Sequence, residues 1–237
     1  MTSAKWPKIL PPLSSEQQRI SDDFMQRWHE VLPRRFGLVE SFNHGYSVQH
    51  APPTFLRTLE IGAGAGEHFR HERLSDEQRA HYYALELREN MCCTIRKRFP
   101  SVQVIRADCQ ERLPFEDNFF DRVLAIHVLE HLPCLPAAIR EAHRVCRKDG
   151  GVFSVMIPCE GGAAYGLARR ISAQRIFEKQ YKQSYKWFIE REHINRPAEI
   201  MAELDPYFRV VHRHFFPLVA PVTWCNLIIG LTLVPKG

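Results

Sequence analysis

The chain has 237 residues, of which 45% are hydrophobic and 25% are charged, and its formal net charge is +5. This length fits one large α/β domain, and the composition excludes extensive disorder. The mild positive charge permits nucleic acid as a partner but does not require one.

An amphipathic helix is predicted near the N-terminus. Ser15 begins a capping box, and apolar side chains then recur at helical intervals up to Pro33. These side chains are Ile20, Phe24, Trp28 and Leu32. Residues 33–53 are rich in aromatic residues, Gly and Pro, which predicts an irregular segment lying across the domain. We therefore divide the chain into an N-terminal helix and cover segment, residues 1–53, and a domain over residues 54–237.

Short apolar runs alternate with helix-compatible polar stretches along the rest of the chain. Five of them predict parallel strands joined by crossover helices, at residues 55–61, 82–87, 102–105, 122–126 and 152–157. Two closing runs, residues 209–216 and 227–234, have no full crossover helix between them and are expected to pair antiparallel. The pattern predicts a doubly wound α/β sheet.

Three features bear on the location of the protein. The seven cysteines form no C-x-x-C pair, so neither a zinc ribbon nor a dithiol redox site is predicted. The first residues carry Lys5 and Lys8 but no continuous apolar core, which argues against a secretory signal. The apolar tract 215–234 is interrupted by two prolines and Asn226, so two buried strands explain it better than a membrane helix. We expect a reduced, cytoplasmic protein.

A glycine-rich loop, LEIGAGAG at residues 59–66, ends the first predicted strand. Glycines let the backbone turn sharply and approach a ligand, and the following helix N-terminus suits an anionic group. A dinucleotide site and a purely structural turn are alternatives. Glu60 favours a ligand with an ammonium group, because a pyrophosphate gains nothing from a nearby carboxylate. Glu86 ends the second strand, where a carboxylate can accept from ribose hydroxyls, although acids at strand ends are also common on surfaces.

Five motifs in order resemble those of the class I S-adenosylmethionine-dependent methyltransferases. The glycine loop is similar to the family's first motif and residues 83–91 to its second. Residues 106–109 resemble the third motif and residues 120–124 the fourth. Residues 144–151 resemble the closing R-v-L-k-P-G-G signature, with Asp149 in place of proline. Asp also serves in turns, so this departure is small.

The resemblance implies a Rossmann-like, mostly parallel sheet of seven strands in the order 3-2-1-4-5-7-6, with S-adenosylmethionine at the carboxyl ends of the first four strands. By position, Glu60 and the glycine loop would hold the methionine part, Glu86 the ribose, and a buried Asp108 the adenine amine. The predicted cofactor-binding residues are Glu60, Gly62, Ala63, Gly64, Glu86, Leu87, Met91, Asp108, Cys109 and Ala125.

Histidines are the candidates for catalysis. His127, Glu130 and His131 fall near one face of a helix predicted to begin there. This stretch resembles the E-x-x-E-H pattern of metal-assisted O-methyltransferases, but His127 replaces the first glutamate. We therefore expect no metal and predict base or positioning roles for both histidines, with helix-start packing as the alternative. His193, just before a helix that Pro197 begins, is predicted to border the acceptor pocket, with a solvent-facing loop as the alternative.

Residues 161–192 are the region where acceptor specificity is expected. Apolar and basic side chains repeat there at helical spacing, which predicts one basic amphipathic helix capping the active site. The apolar face comprises Leu167, Ile171, Phe177, Tyr181, Tyr185 and Phe188, and the basic face comprises Arg175, Lys179, Lys182 and Lys186. A solvated charge stripe is the simplest interpretation of the basic face, although peripheral contact with a membrane surface is permitted.

The predicted function is transfer of a methyl group from S-adenosylmethionine to a small-molecule, lipid-linked or glycan acceptor. An RNA methyltransferase is disfavoured because neither a dedicated RNA-binding domain nor a strong basic patch is visible. Intact acidic residues at positions 60, 86 and 108 argue against a non-catalytic binding protein. Glu60 and the Asp108 motif also disfavour a nicotinamide dehydrogenase.

Overall fold

The computed structural model describes residues 5–35 and 37–237, with side chains except at position 26 and positions 28–35. Within these residues the strands are β1 Thr58–Ile61, β2 Tyr82–Glu86, β3 Gln103–Arg106, β4 Arg122–Ile126, β5 Val152–Pro158, β6 Phe208–Phe216 and β7 Ile228–Pro235. They form one sheet in the order β3-β2-β1-β4-β5-β7-β6. Strands β1 to β5 are parallel, and β7 runs antiparallel to both β5 and β6. The predicted fold class and strand order are confirmed.

Helices make up most of the connections between the strands. They are α1 Ser15–Arg35, α2 Gly37–Gln49, α3 Asp76–Ala80, α4 Glu89–Arg98, α5 Leu135–Val145, α6 Ala163–Arg169, α7 Arg175–Tyr181, α8 Lys186–Glu192 and α9 Pro197–Leu204. Short 3₁₀ turns lie at His68–His71, Leu129–His131 and Thr223–Cys225, and a π-helical turn at Arg170–Gln174. The helix predicted to begin at Pro197 is confirmed.

The central strands are buried on both faces, which explains why their sequences are continuous apolar runs. Val123 and Leu124 of β4 are fully buried, as are Leu231 and Leu233 of β7. The two closing strands are present as predicted, but β6 is an edge strand exposed over residues 209–214. No helix among the described residues has both the length and the apolar character needed to cross a bilayer.

The segment after Pro33 is helical, so the predicted irregular segment is wrong over most of its length. α1 continues through Pro33 to Arg35, and α2 follows after one residue. Apolar side chains on α2 recur at positions i, i+3 and i+7 and pack near β5 and β7; they are Val39, Phe42 and Tyr46. The ring of Tyr46 lies over Gly230 of β7. Packing against the sheet therefore outweighs the turn-like composition of this segment.

The cap comprises three helices in place of the single predicted one. Lys182 has a φ of 55° and ends α7, so α8 leaves in a new direction. Phe177 of α7 and Phe188 of α8 each lie 5.1 Å, between ring centroids, from Phe24 of α1. The break lets both helices place an aromatic ring against the same residue of α1, which a straight helix does not allow.

Two predicted apolar positions of the cap face solvent. Leu167 and Ile171 are 61% and 67% exposed, so the predicted continuous apolar face is wrong over α6 and the π-helical turn.

Ile20 on α1 packs against the aromatic cluster formed with α7 and α8. Trp28 and Leu32, predicted to extend the apolar face of α1, lie outside the described side chains.

We expect Gly230→Ala to lower the free energy of unfolding by about 1–3 kcal/mol, since overpacking of a filled contact has that cost. The new Cβ would lie 2.9 Å from ring carbons of Tyr46. Gly166→Ala is the matched control, because a Cβ at this helical position would have no atom of the described residues within 4 Å. The control should be about 0.5–1 kcal/mol more stable than the parent protein. Equal stability of both variants in urea unfolding would contradict the packing of α2 on β7.

Candidate functional site

The glycine loop follows β1, the strand at which the strand order reverses. β1 pairs with β2 on one side and with β4 on the other. Gly62, Gly64 and Gly66 have φ values of 67°, 56° and 81°, which favour glycine strongly. A Cβ on Gly62 would lie 2.5 Å from Cγ2 of Val128, the second residue after β4. The loop therefore packs directly on the segment that leaves β4, at the edge where ligands bind in doubly wound sheets.

Glu86 lies at the end of β2, beside the loop. Its side chain is 5% exposed, and Oε2 accepts a hydrogen bond of 3.0 Å from the backbone N–H of Gly64. Oε1 accepts from the backbone N–H and from Nε of Arg88, both at 3.0 Å. The carboxylate thus connects β2 to the glycine loop.

Glu60 is a buried carboxyl group within β1. It is 4% exposed, and its Oε2 accepts a hydrogen bond of 2.7 Å from the hydroxyl of Tyr82. Burial raises the pKa of Glu60 to about 8, because the charged form is poorly solvated there, and the bond from Tyr82 only partly opposes this. Glu60 is therefore mainly protonated at neutral pH.

The predicted adenine-contacting residues differ in burial. Asp108 is half-buried, so the prediction of a buried carboxylate is wrong; it accepts from the backbone N–H of Gln110 at 2.9 Å and from Nε2 of the same residue at 3.0 Å. Local bonding to Gln110 holds this carboxylate near the surface. Cys109 is buried, and burial raises the pKa of its thiol to about 12, so it is not a thiolate.

Four other predicted cofactor residues occupy distinct environments. Leu87 is 57% exposed at the end of β2, and Met91 on α4 is half-buried. Ala125 is fully buried in β4, where it pairs with Ile61 and Val155. Its methyl group belongs to the hydrophobic core, and the structure does not bring it to the loop surface. Ala63 is also buried, and its backbone N–H donates to the carbonyl of Leu85 at 3.0 Å.

The histidines after β4 converge, although not on a helix. The predicted helix is wrong: Leu129–His131 forms a 3₁₀ turn, preceded by His127 with a φ of 53°. His127 Nδ1 lies 3.2 Å from Glu130 Oε1, and His131 Nε2 lies 3.8 Å from the same oxygen. Burial lowers the pKa of His131 to about 4, whereas the nearby histidines hold the pKa of Glu130 near 2. A buried carboxylate is thus bordered by two imidazoles.

His193 joins this cluster from a distant part of the chain. Asn195 is fully buried, and its side-chain Nδ2 donates to the carbonyls of Leu129 and Leu132, both at 2.8 Å. The backbone N–H groups of residues 194 and 195 donate to the carbonyl of Glu130 at 2.9 and 3.0 Å. These bonds hold the ring of His193 with its centroid 5.1 Å from that of His131.

A buried polar chain beside the site was missed by sequence reasoning. Glu40 Oε2 lies 3.3 Å from His44 Nε2, and His44 Nδ1 lies 3.3 Å from His68 Nδ1. His68 Nε2 then lies 2.7 Å from Glu72, which also pairs with Arg122. Arg122 is fully buried at the start of β4. The position of Arg122 next to the apolar run of β4 was the sequence feature that could have predicted this chain, since a buried arginine needs an acidic partner.

Comparison with known proteins identifies the domain. Residues 59–154 match the family model described as a methyltransferase domain. The malonyl-[acyl-carrier protein] O-methyltransferase of Halorhodospira halophila is 33% identical over 99 residues, 41% of this chain and 33% of that protein. A structure of an S-adenosylmethionine-dependent methyltransferase from Thermotoga maritima has a TM-score of 0.59 at 21% identity, over 92% of this chain and 99% of the other. Residues 59–154 of this chain thus match a methyltransferase domain, and its fold is that of S-adenosylmethionine-dependent methyltransferases of known structure.

A second relative matches this chain at a similar level of identity. The ubiquinone/menaquinone biosynthesis C-methyltransferase of Bartonella henselae is 30% identical over 125 residues, which are 49% of this chain and 47% of that protein. The chain thus spans less than half the length of either curated relative. The matched methyltransferase domain contains the glycine loop, Glu86 and Glu130, whereas α2, the cap and His193 lie outside it.

Glu60→Gln should weaken the pH dependence of stability of the methyltransferase domain. The pKa of Glu60 is raised from 4.5 to about 8, so the folded protein holds a proton that the unfolded chain has released between these values. The contribution of this group to stability is present below about pH 4.5 and is lost as the pH rises towards 8, by on the order of 4 kcal/mol. Urea unfolding from about pH 5 to about pH 8 measures it. Parallel curves for the variant and the parent protein would contradict a protonated Glu60.

Proposed function

We propose that this chain transfers a methyl group from S-adenosylmethionine to a small-molecule, lipid-linked or glycan acceptor. The observation that carries the proposal is the contact of Gly62 with Val128 at the junction of β1 and β4. Because His127 is adjacent to Val128, this contact makes the glycine loop and the histidine cluster neighbours. A cofactor held by the loop would therefore present its sulfonium close to the histidines.

The cofactor would lie along the carboxyl edge of β1 to β3. We assign the methionine part to Glu60 with Gly62, Ala63 and Gly64, and the ribose to Glu86. An ammonium group next to Glu60 would favour the charged carboxylate, so binding would release the proton that burial keeps on this residue. Glu86 supports the ribose assignment because its carboxylate is fixed beside the loop by Gly64 and Arg88.

The adenine would lie beyond the ribose, between β2 and β3. Asp108 would accept from the exocyclic amine, and its partial exposure makes it reachable. Leu87 and Met91 would pack against the ribose and base, and Cys109 would contribute a neutral thiol to the wall of the pocket. Ala125 can take part only through its backbone, since its side chain is in the core.

The acceptor would bind beside His127, His131 and His193. Displacement at a sulfonium depends chiefly on an acceptor held close and in line, and a histidine base assists when the acceptor is a hydroxyl. One relative is named for malonyl-acyl-carrier protein and the other for ubiquinone and menaquinone biosynthesis, which supports a small-molecule or carrier-linked acceptor. All seven cysteines are unpaired, which supports a reducing, cytoplasmic location.

The proposal predicts saturable binding of S-adenosylmethionine and S-adenosylhomocysteine, with little binding of NAD. Glu86→Ala should weaken the binding of S-adenosylhomocysteine by about 1–3 kcal/mol, roughly 5- to 150-fold in Kd, because it removes a buried acceptor. The exposed Glu116→Ala is the control and should bind like the parent protein. Calorimetry measures binding, and circular dichroism checks that each variant is folded.

Activity is tested with S-adenosylmethionine labelled in the methyl group and cell extract fractionated into small molecules, lipids and RNA. Label should enter the small-molecule or lipid fraction with the parent protein and much less with Glu86→Ala. Tight binding of NAD without binding of S-adenosylhomocysteine would refute the cofactor assignment. Labelling confined to RNA would refute the acceptor class.

A further inference from the structure

Glu130, His131 and His193 form a set of three potential metal ligands within the described part of the chain. One ligating atom from each residue lies within 4.8 Å of the other two. We propose that these three side chains bind one divalent transition-metal ion. This reverses the expectation of no metal, which weighed only His127, Glu130 and His131 as ligands and assigned His193 to the border of the acceptor pocket.

A buried carboxylate oxygen of Glu130 is suited to bind a cation. The residue is fully buried, yet its Oε2 has no hydrogen-bond partner among the described residues, while Oε1 faces His127 and His131. A buried carboxylate oxygen without a partner costs several kcal/mol if nothing compensates it. A metal ion coordinated by this carboxylate would remove that cost.

His193 is oriented as metal-binding histidines usually are, and His131 has a carboxylate near its Nδ1, although beyond hydrogen-bond distance. His193 Nδ1 lies 3.0 Å from Glu160 Oε2, and His131 Nδ1 lies 3.6 Å from Glu192 Oε2. Metal-binding histidines typically donate one ring N–H to a carboxylate, which leaves the other nitrogen for the ion. In this arrangement Nε2 of each ring is the nitrogen available for coordination.

The charges around the cluster also favour a divalent cation. Three carboxylates, those of Glu130, Glu160 and Glu192, face the two histidines. Among the described residues, one arginine or lysine side chain forms an ion pair with these carboxylates: Arg169 pairs with Glu160. Histidines that bind a metal are neutral, so the cluster has an excess of two negative charges. One divalent ion balances them.

The type of ligand narrows the choice of metal. Two imidazoles and one carboxylate suit Zn²⁺, Mn²⁺, Fe²⁺ or Co²⁺, whereas Mg²⁺ and Ca²⁺ prefer a shell of oxygens. Hydrogen bonds from residues 194 and 195 to the Leu129–His131 turn hold two separate segments together, so the ligands are positioned before the ion arrives. Three protein ligands also leave a coordination position open. If the proposed function holds, that position would accept an oxygen of the methyl acceptor.

Titration of the chelator-treated, full-length protein with Co²⁺ tests the site. One equivalent should bind with a visible d–d absorption and without thiolate charge transfer. His193→Ala and Glu130→Gln should each weaken Co²⁺ binding by about 100-fold or more, and Glu160→Gln by roughly 10- to 100-fold. His212→Ala removes an exposed histidine of β6 and should leave the affinity unchanged.

Circular dichroism and binding of S-adenosylhomocysteine show whether each variant is folded. Glu130→Gln keeps the size and shape of the side chain, so it remains informative if His193→Ala fails to fold. Weak Co²⁺ binding that is the same in all variants, or that is lost only in His212→Ala, would overturn the proposal. Binding of Co²⁺ at the site without binding of S-adenosylhomocysteine would instead contradict the proposed function and leave the metal site standing.

Discussion

Gly62 and Val128 approach so closely that a Cβ at position 62 would lie 2.5 Å from Cγ2 of Val128 and would force one of the two segments to shift. This contact joins the loop after β1 to the segment after β4, the two strands between which a doubly wound sheet opens a ligand cleft. The position of Glu86 depends on it, because Glu86 is bonded to the backbone of the same loop at Gly64. The position of His127 depends on it as well, since His127 adjoins Val128. One steric constraint thus sets the distance between the proposed cofactor and acceptor positions.

Three buried carboxyl groups near this junction differ in their hydrogen-bond and ion-pair partners. Glu60 has a tyrosine hydroxyl as its partner and remains protonated at neutral pH. Glu72 has Arg122 and His68 as partners, which hold its pKa near 2. Glu130 is ionised, but within the described part of the chain one of its oxygens has no hydrogen-bond partner. Of these three, Glu72 is compensated by charged partners within the chain, whereas the proposed ammonium group and metal ion would stabilise the carboxylates of Glu60 and Glu130.

The parts of the site that lie outside the matched methyltransferase domain come from both sides of it in the chain. Glu40 and His44 on α2 extend a buried polar chain to Arg122 of β4. Glu160 and His193 flank the cap and reach the cluster after β4. This division is consistent with a domain that holds the cofactor and additions that shape the acceptor side.

The strand positions and the glycine loop were readable from the sequence because each depends on local patterns, whereas the strand order was an implication of the family resemblance. Continuous apolar runs identify strands buried on both faces, and glycines with positive φ identify the loop without knowledge of their neighbours. The strand from 122 to 126 was predicted with the bounds that the structure gives. Prediction was wrong where a partner distant in sequence decides the conformation. α2 is helical because Tyr46 packs on Gly230. The helical cap is interrupted at Lys182, so that α7 and α8 both pack against Phe24.

The candidate site likewise has residues that were predicted from the sequence and residues whose position only the tertiary structure decides. Residues 59–66, Glu86 and the histidines after β4 were found from the sequence, because each follows a recognisable strand. The approach of His193 to His131 and Glu130 was decided by the tertiary structure, through the bonds that Asn195 makes to Leu129 and Leu132. Glu130 and His193 are separated by more than sixty residues, and no periodicity links positions so far apart. Whether a buried carboxylate has a partner likewise depends on the whole fold, so the unpaired oxygen of Glu130 is a property of the structure alone.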